Sequence, residues 1–337
     1  MVLTDKMEDR DFVKKICVEL NLGAPKGVKS VSGGYMHKMY RLKTDSGVYA
    51  VKILNSEIMK RPDVFDNYAI AEVLEQKLSD HNIPIVPALK LNNQKMQCVD
   101  GRHFYVFDWV KGKSLKEHKI KKEHCALMGT ILAKIHKIEI RTDATIKDDI
   151  LIDWDNYISK AKKTCPEIEP LLSKNRAILY NCLQKGNEAM KNLPRISCIS
   201  NGDMDGKNVL WHKGRPLLID LESLNYGNPY TELFQLALCW SGYESCRINF
   251  DLLDSFISAY ITEFGRFDAD WTDLYFSNVG RLEWLEYNIK RALMIECADE
   301  NERKLGIEQV KETMAHIVYY EEINDRLITH LEKVFVN

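Results

Sequence analysis

The side chains of this sequence that are best suited to chemistry lie in one polar segment and just beyond it. Asp203 is followed five residues later by Asn208, and Asp220 comes after the next apolar run. Phosphoryl transfer needs such a set: a carboxylate that orients the acceptor hydroxyl and takes its proton late, and an amide oxygen and a second carboxylate that hold a metal ion. Mg²⁺ prefers hard oxygen ligands of this kind. The three side chains together therefore favour Mg²⁺-dependent phosphoryl transfer.

Upstream residues supply the groups that would bind phosphate. Lys52, in Ala-Val-Lys on a predicted strand, could reach the α- and β-phosphates of a nucleotide, and Glu72 on the following predicted helix could hold this lysine. Glu75 is an alternative for the same role. The backbone N–H groups of Ser32-Gly33-Gly34 could cap phosphate. Taken singly, each feature also fits a surface lysine, a hairpin turn or a solvated helix residue, so the indication comes from their fixed order.

Two kinds of periodicity divide the chain. Residues 8–22 and 67–78 carry apolar residues at helical spacing, whereas alternating segments and turn residues predict strands elsewhere in 25–110. We therefore expect a five-stranded, mostly antiparallel sheet with one inserted helix over 25–110. The rest is predicted to be mainly helical except for 196–222, a non-helical block rich in Asp, Asn and Gly. An irregular polar loop in a helical region is a typical place for function.

The order of these features resembles that of the aminoglycoside phosphotransferase and choline kinase family, which has a protein-kinase-like fold. The features are, in chain order, the loop, Ala-Val-Lys, the helix glutamate, Asp-x-x-x-x-Asn, a strand and Ile-Asp. The resemblance covers about residues 25–300 and is strongest over Asn201–Trp240. It implies an α+β, two-lobe fold. We expect an N-terminal nucleotide-binding lobe over 1–110 and a helical C-terminal lobe over 111–337, which would hold the catalytic loop and the acceptor-binding helices.

The resemblance also implies a role for each residue of the motif. Asp203 would be the catalytic base, and Asn208 and Asp220 would hold Mg²⁺. Lys52 would pair with Glu72 and contact the phosphates of ATP or GTP. Glu72 is preferred to the alternative on the same helix because of its spacing from the Ile-Pro segment that follows the helix.

A nucleobase site is implied at the end of the last strand of the sheet. The carbonyl of Asp108 and the N–H of Val110 would read the edge of the base, with Phe107 behind them. These backbone contacts do not distinguish ATP from GTP. Each apolar residue here could equally belong to the core. The residues expected to sandwich the base are Ala50, Leu210 and Ile219.

One residue departs from the family pattern. Asn201 stands where the family usually has a histidine, two residues before the base, and an amide can donate and accept the hydrogen bonds that such a histidine makes. A non-catalytic nucleotide-binding scaffold therefore stays open as an alternative. A protein kinase is disfavoured, because the sequence has no Asp-Phe-Gly or Ala-Pro-Glu motif.

The charge is unevenly distributed and bears on the acceptor. Residues 221–337 hold 21 acidic and 10 basic residues, whereas the preceding residues carry a net charge of +9. The acidic part favours a cationic, aminoglycoside-like acceptor, although a solvated acidic surface would give the same pattern. Choline, neutral sugars, nucleosides and amino acids also stay open as acceptors. The acidic candidates for acceptor contacts are Glu222, Glu232, Glu244, Glu283 and Glu286. An aromatic cage for a quaternary ammonium could instead form from Trp240, Tyr243, Trp284 and Tyr287.

Composition excludes several other classes. The 337 residues carry a net charge of −2, so nucleic acid is not an expected partner. No apolar run approaches the roughly 20 residues that span a bilayer, so no membrane is expected either. Nine cysteines without a Cys-x-x-Cys pair predict free thiols, a reducing compartment and hence the cytoplasm. No protein partner is implied.

Overall fold

A computed structural model describes residues 7–31, 37–142, 144, 149–297 and 299–335. The first part of the chain contains both helices and strands, and the part after residue 108 is mainly helical. In chain order they are α1 (Met7–Glu19), β1 (Pro25–Val31), β2 (Lys38–Thr44), β3 (Val48–Ile53), α2 (Val64–Asp80), β4 (Gln97–Val99), β5 (Arg102–Asp108), α3 (Lys122–Ile138), β6 (Ile140–Thr142), α4 (Trp154–Thr164), α5 (Glu169–Lys174), α6 (Arg176–Asn192), β7 (Ile196–Ser200), β8 (Val209–His212), β9 (Arg215–Leu218), β10 (Asn225–Gly227), α7 (Pro229–Trp240), α8 (Phe250–Phe264), α9 (Trp271–Ser277), α10 (Gly280–Ala292), α11 (Glu300–Glu322) and α12 (Asn324–Val334).

The chain forms two compact units, and their boundary differs from the predicted one. The first unit comprises the described residues of Met1–Leu115 together with Lys207–Asn225, and the second comprises the rest. The hairpin of β8 and β9 explains the difference, because its backbone pairs with segments of the first unit. The N–H of Val86 donates to the carbonyl of Leu218 (2.9 Å), and the N–H of Trp211 donates to that of Lys113 (2.9 Å). The predicted catalytic segment is therefore divided between the two units.

The sheet of the first unit has the predicted architecture. Its five strands lie in the order β1-β2-β3-β5-β4, and the paired strands are antiparallel. Helix α2 is inserted between β3 and β5, as expected, and α1 packs on the sheet through buried Phe12, Val13 and Ile16. These three residues have the spacing of one helical face, so the helix buries a single apolar stripe.

A buried carboxylate fastens α1 to this sheet. Asp9 accepts hydrogen bonds from the ammonium of Lys38 (2.8 Å), the hydroxyl of Tyr40 (3.1 Å) and the guanidinium of Arg102 (2.5 Å). Burial alone would raise the pKa of Asp9, but Lys38 and Arg102 outweigh burial and hold this pKa below its ordinary value. The carboxylate thus stays charged and links α1 to β2 and β5.

The second unit is mainly helical, as predicted. Helices α3 and α8 approach closely where α3 carries Gly129: a Cβ atom there would lie 2.2 Å from the carbonyl oxygen of Phe256. A second core lies among α4, α6, α10 and α11, and it includes Trp154, Leu282 and Met314. No helix among the described residues is both long and apolar enough to span a membrane.

Candidate active site

Lys52 lies at the centre of a buried ionic cluster in the first unit. It belongs to β3, where it is paired with Tyr105 of β5, and its side chain is 7% exposed. The ammonium donates to Asp220 (2.5 Å) and to Glu222, two carboxylates that follow β9. The fold therefore brings together Lys52 and Asp220, which are 168 residues apart in sequence.

The backbone around Asp220 explains how its carboxylate is presented. The N–H of Ile219 donates to the carbonyl of Asn208 (3.0 Å), which ties the ends of the β8–β9 hairpin together. Asp220 itself has φ +64°, a left-handed conformation that Asp and Asn adopt more readily than most residues. Asn208 is buried at the start of this hairpin. Both predicted metal ligands thus adjoin the same β-hairpin.

The charges of this cluster depend on one another. Burial would lower the pKa of Lys52, but Glu222 and Asp220 outweigh it and raise this pKa well above its ordinary value. Burial would likewise raise the pKa of Glu222, yet Lys52 and His37 hold it far below its ordinary value. The pKa of Asp220 is raised, first by burial and then by the neighbouring Glu222. Lys52 and Glu222 thus stabilise the charged forms of each other.

His37 completes the cluster and was not predicted to do so. Its Nδ1 accepts the backbone N–H of Asn55 (3.0 Å), so in the neutral ring the proton lies on Nε2. Nε2 is 3.0 Å from Oε1 of Glu222, whose Oε2 faces Lys52. Glu222, predicted to contact the acceptor, therefore lies at the lysine instead. Its position two residues after Asp220 was the available signal in the sequence.

The predicted ion pair between Lys52 and Glu72 is not what the structure shows. Glu72 accepts hydrogen bonds from the hydroxyl of Tyr105 (2.9 Å) and the N–H of Met96 (3.1 Å). Glu75, the alternative, is also occupied elsewhere: it accepts from the ammonium of Lys95 (2.6 Å). Both glutamates lie on α2, but they point to the segment that leads into β4 and β5, so Lys52 is left to the carboxylates after β9.

Tyr68 of α2 is buried, and the charges of the lysine cluster affect the pKa of its hydroxyl. The residue is 6% exposed. Burial, then the charge of Glu222, raise the pKa of this hydroxyl well above its ordinary value, and Asp220 adds to the effect. The tyrosine therefore stays neutral.

The residues predicted around the nucleobase are distributed along one edge of the first unit. Ala50 pairs with Phe107 across β3 and β5, while Asp108 is exposed at the end of β5. The chain then pairs with β8 through Lys113, which brings Gly112 against Leu210: a Cβ on that glycine would lie 3.0 Å from the leucine's Cβ. Several predicted residues are half-buried here and so retain apolar surface: Ala50, Phe107, Val110, Leu210 and Ile219. Ser32, Gly33 and Gly34 lie outside the described residues.

In the second unit, a buried glutamate holds the segment that leads to Asp203. Glu232 of α7 is 4% exposed, and its Oε1 accepts the backbone N–H groups of Asn201 (2.9 Å) and Gly202 (2.8 Å). Its Oε2 is 2.9 Å from Nε2 of His136. Glu232 was predicted to contact the acceptor, but burial leaves it no surface for this, and its function in the structure is to position the loop.

Two further side chains of α7 hold the same loop. Trp240, also predicted to contact the acceptor, is fully buried and donates its indole N–H to the carbonyl of Met204 (3.0 Å). Gln235 donates to the carbonyl of Gly202 (3.2 Å). Asp203 itself is half-buried between these two anchored residues. An aromatic cage that includes Trp240 is therefore excluded, because an indole without exposed surface cannot contact a ligand.

The network behind Glu232 makes a prediction about stability. Burial would raise the pKa of Glu232, but hydrogen bonding and the charge of His136 outweigh it and lower this pKa. Because the folded pKa is depressed, the carboxylate's contribution to stability is present above its unfolded pKa of about 4.3 and is lost as pH falls through the folded value. We expect Glu232→Gln to lower the free energy of unfolding by about 3 kcal/mol at neutral pH.

Chemical denaturation at several pH values measures this effect. The matched control is Glu263→Gln, which removes an exposed ion pair with Lys137 (3.2 Å) in the same unit and should cost under about 1 kcal/mol. The difference between Glu232→Gln and wild type should shrink on acidification below pH 4.3. If Glu232→Gln has the same free energy of unfolding as wild type at neutral pH, Glu232 does not hold the loop in place as proposed.

The remaining acceptor candidates lie in the second unit. Glu283 is exposed, and Glu286 accepts a hydrogen bond from the hydroxyl of Tyr157 (2.6 Å). Glu244 is exposed, and its ligand atoms lie within 4.8 Å of those of Glu312 and His316. Half-buried aromatic residues at two places retain some surface for a ligand. They are Tyr243, which lies beside the ring of His316 (5.1 Å), and the pair of Trp284 and Tyr287 on α10 (5.4 Å).

Comparison with known proteins gives a consistent result. The family described as "Phosphotransferase enzyme family" matches residues 27–275. A curated relative, "Stress response kinase A" of Salmonella choleraesuis (strain SC-B67), is 20% identical over 206 residues, and the match covers 60% of this chain and 60% of the relative. A relative with the same identity and coverage from Salmonella typhimurium (strain LT2) is called "Serine/threonine protein kinase RdoA".

Solved structures show the same fold at low sequence identity. A spectinomycin phosphotransferase in complex with ADP and spectinomycin superposes with a TM-score of 0.67 at 13% identity, covering 93% of this chain and 98% of that one. A choline kinase from Cryptosporidium parvum Iowa II gives a TM-score of 0.55 at 13% identity, with coverage of 96% and 99%. Together, these similarities extend beyond the sheet and include the helical second unit.

Proposed function

Because the chain belongs to the phosphotransferase enzyme family, we propose that it transfers the γ-phosphoryl group of ATP or GTP to a hydroxyl group of a small cationic acceptor. The observation that carries this proposal is the convergence of Asp220 and Glu222 on Lys52. A buried lysine beside acidic metal-ligand candidates is the arrangement that phosphoryl transfer requires for binding a nucleotide and its metal ion.

The donor set after Asp203 fits Mg²⁺. Asn208 offers an amide oxygen and Asp220 a carboxylate, and both are hard oxygen donors of the kind Mg²⁺ prefers. When bound, the metal ion would neutralise charge on the phosphate oxygens.

The chain's own residues would bind the nucleotide and act on the acceptor. Lys52 would bind phosphate oxygens with its cationic ammonium, and the half-buried apolar surfaces of Ala50, Leu210 and Ile219 would contact the base. Asp203 would orient the acceptor hydroxyl and take its proton as the phosphoryl group is transferred. Glu232 would keep the loop that bears this base in place by accepting backbone N–H groups.

A cationic acceptor is favoured by the acidic C-terminal part of the sequence. Residues 221–337 carry a net charge of −11, since they contain 21 acidic and 10 basic residues. With Glu222 and Glu232 engaged elsewhere, Glu244 and Glu283 are the exposed carboxylates left among the initial candidates. Glu244 adjoins Glu312, so these two form an electronegative patch that could bind amino groups.

An acceptor panel tests the proposed function. Purified protein, Mg²⁺ and ATP or GTP would be mixed with aminoglycosides, choline, aminoalcohols, hexoses, methylthioribose or homoserine, and release of nucleoside diphosphate would be measured. We expect stimulation by an amino-bearing acceptor, and loss of stimulation in Asp203→Ala. A nucleotide that binds but is never consumed, with any acceptor, would favour the scaffold alternative.

A protein acceptor is the second candidate, because one curated relative is called a serine/threonine protein kinase. Transfer of labelled phosphate from ATP to the protein itself or to a generic basic protein, without stimulation by any small molecule, would favour it. The absence of Asp-Phe-Gly and Ala-Pro-Glu in the sequence argues against it.

We also propose a cytoplasmic location. The nine cysteines, all of which lie within the described part of the chain, are free thiols, and five of them are buried. A reducing compartment keeps such thiols in this state. Acid quenching of cells followed by alkylation of the denatured protein would test this, since oxidised thiols would escape labelling.

A further inference from the structure

We propose that Glu222, oriented by His37, is the residue that positions Lys52 for phosphate, in place of a carboxylate from α2. This inference rests on the proposed function, because it assigns a residue to the nucleotide site of that reaction. The contacts that carry it lie entirely within the first unit: Glu222 bonds to the ammonium of Lys52 through Oε2 and to the imidazole of His37 through Oε1.

The first step of the argument is that both oxygens of Glu222 have fixed partners. The backbone N–H of Asn55 occupies Nδ1 of His37, so Nε2 bears the proton and donates to Oε1. The imidazole is 7% exposed and is therefore held by its surroundings as well. A carboxylate oriented in this way presents its other oxygen to the lysine in one direction, which reduces the freedom of the ammonium.

The second step separates Glu222 from Asp220. Both carboxylates contact Lys52, but Asp220 lies on the hairpin with Asn208, and a metal ion bound to its oxygens would compete with the lysine for them. Glu222 instead has both oxygens engaged within the protein, Oε2 by Lys52 and Oε1 by His37. It can therefore keep Lys52 in place when Asp220 is engaged by another cation.

The third step is the arrangement of α2. Glu72 and Glu75 of this helix bind Tyr105 and Lys95, respectively, so neither carboxylate is the partner of Lys52. The lysine's counter-charge consequently comes from the segment after β9, so its position does not depend on a carboxylate of α2.

A double-mutant cycle tests this assignment with binding as its readout. A fluorescent ATP analogue would be titrated in excess EDTA, so that no divalent ion contributes, against wild type, Lys52→Met, Glu222→Gln and the double variant. We expect Glu222→Gln to weaken this metal-free binding about tenfold, and to weaken it no further once Lys52 is already methionine. Equal losses from Glu222→Gln in both backgrounds would overturn the proposal.

Three other variants separate alternative explanations. Asp9→Asn removes a different buried carboxylate, one that pairs with Lys38 of the same sheet. It therefore controls for a general loss of stability, and its affinity for the analogue should be within about twofold of that of wild type. Glu72→Gln should also bind the analogue normally, whereas a loss as large as that of Glu222→Gln would return the role to α2. His37→Phe should weaken binding in the same direction as Glu222→Gln, because it removes the donor to Oε1.

The remaining outcomes are equally decisive. If Glu222→Gln weakens binding only when Mg²⁺ is present, Glu222 is a metal ligand and the proposal is wrong. If Glu222→Gln does not fold, Glu222→Asp and His37→Phe provide the same comparison, with melting temperature as the check on folding. If wild type transfers phosphate and Glu222→Gln binds the analogue normally, this inference alone is overturned. If wild type binds no nucleotide even with Mg²⁺ present, the proposed function is overturned as well.

Discussion

Replacing Asp203 with asparagine is expected to reduce kcat by about 10³-fold while the nucleotide still binds with an affinity close to that of wild type. The amide keeps the size of the side chain but cannot take a proton from the acceptor hydroxyl, and such proton transfer contributes about 10²–10⁴-fold in enzymes. The backbone on either side should be unaffected, because Glu232 holds the preceding N–H groups and Trp240 the following carbonyl.

Steady-state kinetics with the best acceptor and a separate measurement of nucleotide affinity would check this result. The matched control is Asp205→Asn, a half-buried carboxylate two residues further along the same loop, which should retain most of the wild-type kcat. Turnover of Asp203→Asn near the wild-type level would remove this aspartate from the mechanism. An equal loss in Asp205→Asn would attribute the effect to the loop in general.

The second large effect is expected for Asp220→Asn, which should lower kcat/KM by at least about 10²-fold, or about 2.7 kcal/mol of transition-state stabilisation. The substitution removes the negative charge that would hold Mg²⁺ and that also faces Lys52. Asparagine tolerates the left-handed φ of +64° at this position, so the loss should not come from backbone strain. The Mg²⁺ concentration for half-maximal rate should rise accordingly.

A Mg²⁺ titration of the rate measures this effect directly. Asp100→Asn is a suitable control, since Asp100 also has a positive φ (+49°) and pairs with a lysine, Lys15, but lies in an exposed turn of the same unit. We expect this control to match wild type in both rate and metal dependence. An unchanged Mg²⁺ dependence in Asp220→Asn would refute its assignment as a metal ligand.

Local sequence patterns are sufficient to predict the architecture, but they do not predict which partners the charged residues bind. The alternation of apolar residues and the turn residues predict the five-stranded sheet, and the helical stripes predict the second unit, because these features depend on burial along a single element. The unit boundary was misplaced because Leu218 and Trp211 pair with backbone that is distant in sequence. Such pairing has no signal in the segment itself.

The acidic residues show the same limitation within the candidate site. Glu72 has the expected spacing, but its direction is decided by Tyr105 and by the N–H of Met96, which lie on a different part of the chain. Glu222 and Glu232 were predicted to face the acceptor from charge alone, whereas each is engaged by a histidine in the interior of its own unit. Charge composition identifies a region, and only three-dimensional packing identifies what each carboxylate binds.

The buried Asp9 has a practical consequence for the design of shortened proteins. The family match begins at residue 27, yet α1 precedes it and supplies both apolar core residues and the carboxylate that neutralises Lys38 and Arg102. At the other end, α11 lies beyond residue 275 and contributes Met314 to the second core. A fragment cut at the limits of the family match would expose two hydrophobic surfaces and remove the carboxylate that pairs with the half-buried Lys38 and Arg102, so expression of residues 27–275 should yield aggregated material.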